Sequence, residues 1–399
     1  MKSPRIYLDH AATTPIHPSV TAEILRVLRE FPGNPSSLSA EGRAARESLD
    51  AARQDIAQTL QADPEEIVFT SGGSESIALA IRGTAMAAAR ENRRHLITTA
   101  IEHHAVLHTI QHLQTHHGFE ATIVDVDSAG HVDPVAVRAA IRDDTALISV
   151  MYANNEVGTI QPLATIAAEL EDHPAVLHSD AIQAPGLLPI SVQALGLDLM
   201  SIAAHKFYGP KGVGALYVRN GVRITPQIIG GSQERGQRAG TENVAFAVGL
   251  AAALNHAEQH RESNLSHNSN LRDALIDGIT TIPGSRLNGP RNHRLANNVN
   301  VVFANVDSEV LLIHLDAAGI TASSGSACTS ASLEPSHVLQ AMGLAPDLAA
   351  GSLRLTTGQD NTMTQINQTI EKQTEKKTTT IIFWMPFGAI CKRMFISLV

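Results

Sequence analysis

Short apolar runs recur along the first half of the chain, each followed by a longer stretch in which apolar residues have helix-like spacing. Residues 96–99, 121–126 and 146–150 are three such runs, and they predict buried strands. Strands that alternate with helices indicate an α/β fold with a mainly parallel sheet. Such sheets bind ligands beyond the carboxyl ends of their strands, so polar residues that follow the runs are the first candidates for a site.

The polar stretch HAEQHRESNLSHNSN at 256–270 predicts a helical connector between two parts of the chain. We expect a large domain over residues 16–258. A smaller α+β domain would combine residues 1–15 with 259–399, of which 372–399 form an atypical tail. With 399 residues, 43% of them hydrophobic, the chain is long enough to bury a large core.

Charge and cysteine content restrict the partners and the compartment. The net charge of −9 gives no basic footprint, which argues against direct nucleic-acid binding. Two cysteines without an N-terminal signal-peptide pattern are typical of a reducing cytoplasm, and two are too few for the usual four ligands of an iron–sulfur cluster. No metal is therefore expected. The apolar run at 381–390 is shorter than the ~20 residues of a membrane-spanning helix, so no membrane span is expected.

A lysine lies between an apolar run and a glycine-rich turn in DLMSIAAHKFYGPKGVGALYV, residues 198–218. Partial desolvation there disfavours the ammonium form of Lys206 and leaves an amine that can form a Schiff base with a carbonyl. Pyridoxal phosphate is anchored in this way. Lys206 is therefore the first candidate for the catalytic, cofactor-binding residue. The alternative is a surface lysine before a turn.

The segment VLHSDAIQAPG, residues 176–186, predicts a short buried strand that ends at Asp180. A carboxylate at this place can pair with the pyridine nitrogen of pyridoxal phosphate, and Gln183 can hydrogen-bond the phenolic oxygen of the ring. The alternative for Asp180 is a helix cap. The order of Asp180 and Lys206, with a strand between them, favours the cofactor interpretation.

A third segment, IVFTSGGSESIALAIRG at 67–83, predicts a strand, a Gly-Gly-Ser turn and a helix that begins near Glu75. Exposed backbone N–H groups at such a helix start, which includes Gly73, can bind a phosphate group. Ser74 can add its hydroxyl and His205 a further donor. The turn has neither the Walker lysine pattern nor the GxGxxG spacing, which disfavours nucleotide binding.

Nine motifs between residue 7 and about residue 370 extend this picture: YLDHAATTP, GNPSS, FTSGGSES, EHHAV, NNEVG, HSDAIQ, AHKFYGPKGVGALYV, QERGQRAGTENV and SSGSACTSASLEPSHVL. In order and spacing the chain resembles the NifS/IscS-type cysteine desulfurases, pyridoxal-phosphate enzymes of the aminotransferase class V group. The resemblance implies the fold type I of these transferases. It also implies the conversion of L-cysteine to L-alanine, with the sulfur held as an enzyme persulfide.

The resemblance assigns roles near the cofactor. Lys206 would hold the cofactor and then act as a base. His103 in EHHAV would lie over the pyridine ring and move protons, a task that suits imidazole near neutral pH. The alternative is a partly exposed pair formed by His103 and His104.

The resemblance also assigns substrate and subunit contacts. Asn155 in NNEVG and Arg354 in SLRLTTG would bind the substrate carboxylate, for which the planar fork of arginine is suited. Thr241 in RAGTEN would reach the cofactor phosphate of the neighbouring subunit. The active protein would then be a homodimer.

Cys328 lies in a stretch rich in serine, alanine and glycine, SSGSACTSAS at 323–332. This composition predicts a solvent-reached loop where a thiol can ionise and attack, and the alternative is a small buried hydrophobic residue. In the family the matching thiolate takes the sulfur of the substrate. The surrounding sequence resembles the branch with a long loop that hands sulfur to a protein acceptor, such as an iron–sulfur scaffold or a sulfur carrier.

Several positions depart from the family pattern. Ala203 stands where a serine usually contacts the cofactor phosphate, and Gln359 replaces a common arginine. These two departures leave the affinity for cofactor and substrate undetermined. The atypical tail leaves the choice of protein partner undetermined. Two alternative functions follow: a selenocysteine lyase or class V transaminase, which would not need Cys328, and a catalytically impaired sulfur-relay or scaffold protein.

Overall fold

The protein is described by a computed structural model over residues 5–170, 173–325 and 335–383, with side chains described as far as residue 373. The strands in this part of the chain are β1 Ile6–Tyr7, β2 Ile67–Thr70, β3 His95–Thr99, β4 Glu120–Val124, β5 Thr145–Ser149, β6 Val176–Asp180, β7 Leu199–Ala203, β8 Gly214–Val218, β9 Ser285–Leu287, β10 Asn298–Phe303, β11 Ile320–Thr321 and β12 Ser352–Thr356.

The helices are α1 Pro18–Glu30, α2 Ala40–Leu60, α3 Gly73–Ala88, α4 His104–His117, α5 Pro134–Ala139, α6 Leu163–Glu169, α7 Val192–Leu195, α8 Val244–Gln259, α9 Arg261–Thr280, α10 Ser308–Ala317, α11 His337–Ala341, α12 Pro346–Ala349 and α13 Met363–Phe383. Among the described residues, none of these helices is both long and apolar enough to cross a membrane.

A seven-stranded sheet with the order β2-β8-β7-β6-β5-β3-β4 forms the centre of the described chain. Strands β7, β6, β5, β3 and β4 are paired in parallel, and β8 is antiparallel to both of its neighbours. Every residue of β3, β5, β7 and β8 is buried, as expected for a sheet that helices cover on both faces. The predicted mainly parallel α/β sheet is confirmed.

Two hydrophobic cores lie on the two faces of this sheet. Helices α1, α2 and α8 share one core with the sheet, and α3 and α4 share the other. Strands β12, β10 and β9 form a separate antiparallel sheet, whose core includes α9 and α10. The connector predicted at 256–270 consists of the end of α8 and the start of α9. The predicted domain boundaries fall just before α1 and at the end of α8, and they remain a prediction.

Helix α3 begins at Gly73, two residues before the predicted start near Glu75. Gly72 precedes it with a φ of 154°, a conformation that a residue with a Cβ rarely adopts. Glu75 lies in the first turn, and its carboxylate accepts a hydrogen bond of 2.7 Å from the backbone N–H of Ser71. Gly72 and Glu75 together define the N-terminus of α3. The backbone N–H groups of its first turn therefore lie at the end of β2.

Candidate active site

The carboxyl ends of the central strands surround a cavity of about 370 Å³. Strand β2 runs in the same direction as β7, because β8 is antiparallel to both, so the ends of β2, β3, β5, β6 and β7 meet at one edge of the sheet. Nine of the predicted site residues line this cavity: Gly73, Ser74, His103, Asn155, Asp180, Gln183, His205, Lys206 and Arg354. The tertiary structure therefore brings together residues that lie up to 281 positions apart in the sequence, Gly73 and Arg354.

Lys206 ends a single helical turn, Ala204–Lys206, that follows β7 directly. Its Nζ donates hydrogen bonds to the backbone oxygens of Ala11 and Ala12, at 2.6 and 2.9 Å. Gln183 Nε2 donates to the same Ala11 oxygen at 3.1 Å. The N-terminal segment thus forms one wall of the cavity, a role that the sequence interpretation did not assign to the motif YLDHAATTP.

Asp180 is the last residue of β6 and is 5% exposed. One of its carboxylate oxygens accepts a hydrogen bond of 3.0 Å from the backbone N–H of Ile182 in the turn that follows. The next helix begins only at Val192, so Asp180 is not the helix cap of the alternative interpretation. Burial raises the pKa of Asp180 to about 6, and the positive charge of Lys206 opposes that rise. A cation placed beside Asp180 would hold its carboxylate in the charged form.

His103 caps the N-terminus of α4, where its Nδ1 accepts a hydrogen bond of 3.1 Å from the backbone N–H of Ala105. In the neutral imidazole the proton must then be on Nε2. Burial, followed by the positive charge of Lys206, lowers the pKa of His103 to about 4. The side chain is therefore held as a neutral imidazole of one tautomer at the cavity wall.

The start of α3 forms the opposite wall, and its geometry suits an anionic group. A Cβ added at Gly73 would meet the Ile182 side chain at 2.3 Å and the Ala203 side chain at 3.4 Å, so glycine leaves this space open without moving Ile182. Burial, with the charges of Lys206 and Lys211, lowers the pKa of His205 to about 4. Neutral donors and helix N–H groups surround the space where a phosphate would lie.

Arg354, on β12, is 2% exposed and reaches the cavity from the second sheet. Its two terminal nitrogens donate to the Asn155 backbone oxygen and to an Asp9 carboxylate oxygen, both at 2.9 Å. Its Nε is buried and has no hydrogen-bond partner among the described residues. The guanidinium is thus fixed in position and keeps one donor for a ligand. The sequence interpretation did not identify its partner Asp9.

Two predicted residues stand apart from these nine. Thr241 is exposed and lies outside the cavity of its own chain. Cys328 lies outside the described residues, as do most of the tail residues. Gly325, three residues before the cysteine, lines the cavity. Of the positions that depart from the family pattern, Ala203 lines the cavity, whereas Gln359 bonds away from it to Tyr208 and His256.

The residues present fit pyridoxal phosphate. A buried carboxylate, a lysine amine and a helix N-terminus line one cavity, and they match the ring nitrogen, the carbonyl and the phosphate of that cofactor. The Nε of Arg354 is buried without a partner in the described part of the chain, as expected beside a carboxylate ligand.

A fully buried acid beneath the cavity, Glu102, was missed by the sequence interpretation although it opens the motif EHHAV. One carboxylate oxygen accepts hydrogen bonds from Thr99 Oγ1 at 2.7 Å and from the Met151 backbone N–H at 2.8 Å. The other oxygen has no partner among the described residues. Burial raises the pKa of Glu102 to about 8, so the acid is neutral at pH 7.

Because the pKa of Glu102 is higher in the folded than in the unfolded chain, unfolding releases a proton between about pH 4.5 and 8. The free energy of unfolding should fall across this window by up to about 1.4 kcal/mol per pH unit. Glu102→Gln keeps an acceptor oxygen and removes the ionisation. At each pH, the thermal midpoint of the unchanged protein is subtracted from that of Glu102→Gln. We expect this difference to rise steadily from pH 5 to pH 8. Glu65→Gln, at an exposed position, is the control, and a pH-independent difference for Glu102→Gln would contradict the prediction.

Comparison with known proteins places this cavity in a family. A family model of aminotransferase class V matches residues 6–369. Cysteine desulfurase IscS of Methanosarcina thermophila is 48% identical over 366 residues, which cover 92% of this chain and 90% of the relative. A solved structure described as a NifS-like protein is 36% identical, with a TM-score of 0.88, and covers 94% of this chain and 100% of its own. A solved structure described as SspA in complex with cysteine is 35% identical, with a TM-score of 0.78, and covers 88% of this chain and 99% of its own.

The chain belongs to the aminotransferase class V family. Its relatives in that family are cysteine desulfurases, which are pyridoxal-phosphate-dependent enzymes. The predicted resemblance, the fold class and the cofactor are therefore confirmed.

Proposed function

We propose that this protein is a pyridoxal-phosphate-dependent cysteine desulfurase that converts L-cysteine to L-alanine and leaves the sulfur on Cys328 as a persulfide. The observation that carries the proposal is the cavity that brings Lys206, Asp180 and the start of α3 together, with Arg354 beside them. Relatives named cysteine desulfurase match this chain over 92% of its length. The family model matches residues 6–369, a range that contains every residue of that cavity.

Bound pyridoxal phosphate supplies an electron sink for bond changes at the substrate α-carbon. The side chains around it then have separate tasks. Asp180 would stay charged beside a protonated ring nitrogen, and the N–H groups of Gly73 and Ser74, with His205, would hold the phosphate. The Lys206 amine, which the N-terminal wall holds in the cavity, would accept the proton that the substrate α-carbon releases.

The substrate carboxylate is bound between the second sheet, which carries Arg354, and the loop that carries Asn155. The free Nε of Arg354 and the side chain of Asn155 bind the carboxylate of L-cysteine, while Asp9 keeps the guanidinium in place. His103, held as the neutral Nε2–H tautomer, donates and recovers a proton beside the reacting atoms. Gln183 would hydrogen-bond the phenolic oxygen of the ring.

The sulfur step transfers one atom. The thiolate of Cys328 attacks the sulfur of the substrate, so that a sulfur–sulfur bond forms and the carbon–sulfur bond breaks. The electron pair of the broken bond stays on the β-carbon and takes up a proton, which gives alanine. A protein acceptor then removes the sulfur from Cys328, for iron–sulfur clusters or thiolated molecules. The position of Gly325 at the cavity supports this assignment, because three residues span at most about 11 Å.

A homodimer completes the proposal. Thr241 is exposed in its own chain, while Arg238, three residues before it, is tied to Glu75 of α3 by a salt bridge of 2.9 Å. In the same region Ile228 and Ile229 are 41% and 90% exposed, an apolar surface that a second copy would cover. Thr241 would then reach the phosphate group in the neighbouring subunit. A cytoplasmic location follows from the need to keep the Cys328 thiol reduced.

Product analysis tests the function. The cofactor-loaded protein is incubated with L-cysteine and a thiol reductant, and alanine and sulfide are measured together. Equal amounts of the two products are expected, since each turnover releases one alanine and one sulfur atom. Alanine formed only from a keto acid acceptor would favour a transaminase, and turnover with selenocysteine alone would favour a lyase. Absence of both products and of bound cofactor would favour a sulfur-relay protein.

Restoring the missing hydroxyl tests the phosphate site. Ala203 is fully buried at the cavity, beside the start of α3, so Ala203→Ser adds a donor where the phosphate would lie. One hydrogen bond to a charged group contributes about 1–3 kcal/mol, which predicts cofactor binding tighter by about fivefold to a hundredfold. Fluorescence titration of the apoprotein measures the affinity. Ala78→Ser is the control, because Ala78 is on α3 but does not line the cavity, and it should not change the affinity. An unchanged affinity for Ala203→Ser would reject this placement of the phosphate.

A further inference from the structure

Helix α4 carries an unusual row of histidines. His104, His108, His112 and His116 follow at intervals of four residues and therefore lie along one side of the helix. His337, at the start of α11, packs against the first of them. The proposed reaction uses only the neighbouring His103, so the row has no task in it.

The ring spacing around His104 suits a shared metal ion. The His104 and His337 ring centroids are 4.5 Å apart, and those of His104 and His108 are 5.0 Å apart. Two imidazoles bound to one ion through bonds of about 2.1 Å, at tetrahedral or right angles, place their centroids roughly 4.5–5.2 Å apart. Both pairs fall within this range.

The hydrogen bonds of these histidines leave ring nitrogens available to a metal ion. His337 Nε2 donates to the backbone oxygen of Glu102 at 2.9 Å, which leaves the lone pair on Nδ1. A backbone carbonyl that accepts the second N–H in this way is typical of metal-binding histidines. Within the described part of the chain, the ring nitrogens of His104 and His108 make no hydrogen bond, so both rings can turn a nitrogen towards an ion.

The location connects this cluster to the active site. His104 and His337 line the cofactor cavity, and His104 and His108 line an open groove beside it. Among the described residues, no three side chains already converge as a ligand set, so the present arrangement offers two imidazoles. His108 is exposed and can turn towards the other two without disturbing the core.

We propose that His104 and His337, joined by His108, bind a borderline divalent transition-metal ion such as Ni²⁺ or Zn²⁺ at the mouth of the cavity. Imidazole ligands select ions of this class over Mg²⁺ or Ca²⁺. The inference goes beyond the proposed function and does not depend on it.

Calorimetric titration with NiCl₂ tests the site in the untagged, cofactor-loaded protein. The background is Cys328→Ala with Cys391→Ala, so that no thiol binds the metal. We expect one ion per chain in the tightest class. His104→Gln and His337→Gln each remove one of the two or three imidazole ligands. Each should weaken the affinity of the tightest site for Ni²⁺ at least tenfold. Bound cofactor shows that the variants are folded.

The second histidine pair supplies the matched control. The ring centroids of His112 and His116 are 4.7 Å apart, which is also within the range for a shared ion. Neither residue lines the cofactor cavity, and this pair lacks the carbonyl contact that orients His337. The double variant His112→Gln/His116→Gln should keep the tight ion, and X-ray absorption of its nickel complex should show two or three imidazole ligands. The proposal would be overturned if the control lost the tight ion or if His104→Gln kept it. A nickel spectrum of the control without imidazole ligands would also overturn it. This last test needs only the control variant to fold.

Discussion

Replacing Lys206 with alanine is expected to lower the rate of alanine formation from L-cysteine by at least about a thousandfold. The amine is both the group that holds the cofactor covalently and the base at the α-carbon, and loss of a positioned general base alone reduces a rate by about 10²–10⁴. Its two hydrogen bonds to Ala11 and Ala12 show that the side chain is held in the cavity by the N-terminal segment. Alanine and sulfide formation under saturating L-cysteine measure the effect.

The cofactor content gives a second readout for Lys206→Ala. The variant should lose pyridoxal phosphate on dialysis, because only non-covalent contacts with Asp180 and the start of α3 remain. Lys211→Ala is the matched control, since Lys211 is an exposed lysine five residues further along the chain. It should keep both activity and cofactor. Retention of more than a tenth of the activity by Lys206→Ala would remove this residue from the mechanism.

Replacing Cys328 with alanine is expected to abolish sulfide formation, with a fall of at least about a hundredfold, while the cofactor remains bound. Without the thiol, the substrate sulfur has no nucleophile to receive it, although the cavity that binds cofactor and carboxylate is unchanged. Sulfide release and the visible absorption of bound cofactor are measured on the same sample. The two readouts separate a missing acceptor of sulfur from a damaged fold.

Cys391 provides the control for Cys328→Ala. It is the second cysteine of the chain and lies in the atypical tail, so Cys391→Ala should retain desulfurase activity. A Cys328→Ala variant that still turns over would instead favour the transaminase or selenocysteine lyase, neither of which needs this thiol. Loss of activity in Cys391→Ala alone would transfer the sulfur-accepting role to the tail.

Local patterns were sufficient to predict much of the site. Asp180 and Lys206 each follow an apolar strand, and parallel strands bring such positions to one edge of the sheet, so their proximity followed from the order of the elements. The same holds for Gly73 and Ser74 after β2. The start of α3 was misplaced by two residues, because the geometry of Gly72 is not visible in a pattern of polarity.

Long-range contacts were not accessible in the same way. Asp9 and Arg354 pair across 345 positions, and Lys206 meets the Ala11 oxygen across 195. No periodicity encodes such separations, because they depend on how the second sheet packs against the first. The motifs that contain these residues were visible, but their partners were not.

The sequence by itself determined the class of fold, the cofactor chemistry and the identity of nine residues around one cavity, because strand order and residue type fix what meets at a sheet edge. Only the tertiary structure decided the protonation and orientation of the groups in and around this cavity. The neutral Glu102, the single tautomer of His103 and the cluster of His104 with His337 arise from burial and from contacts between distant elements. Electrostatic environment is a property of the packed chain, and no single segment contains it.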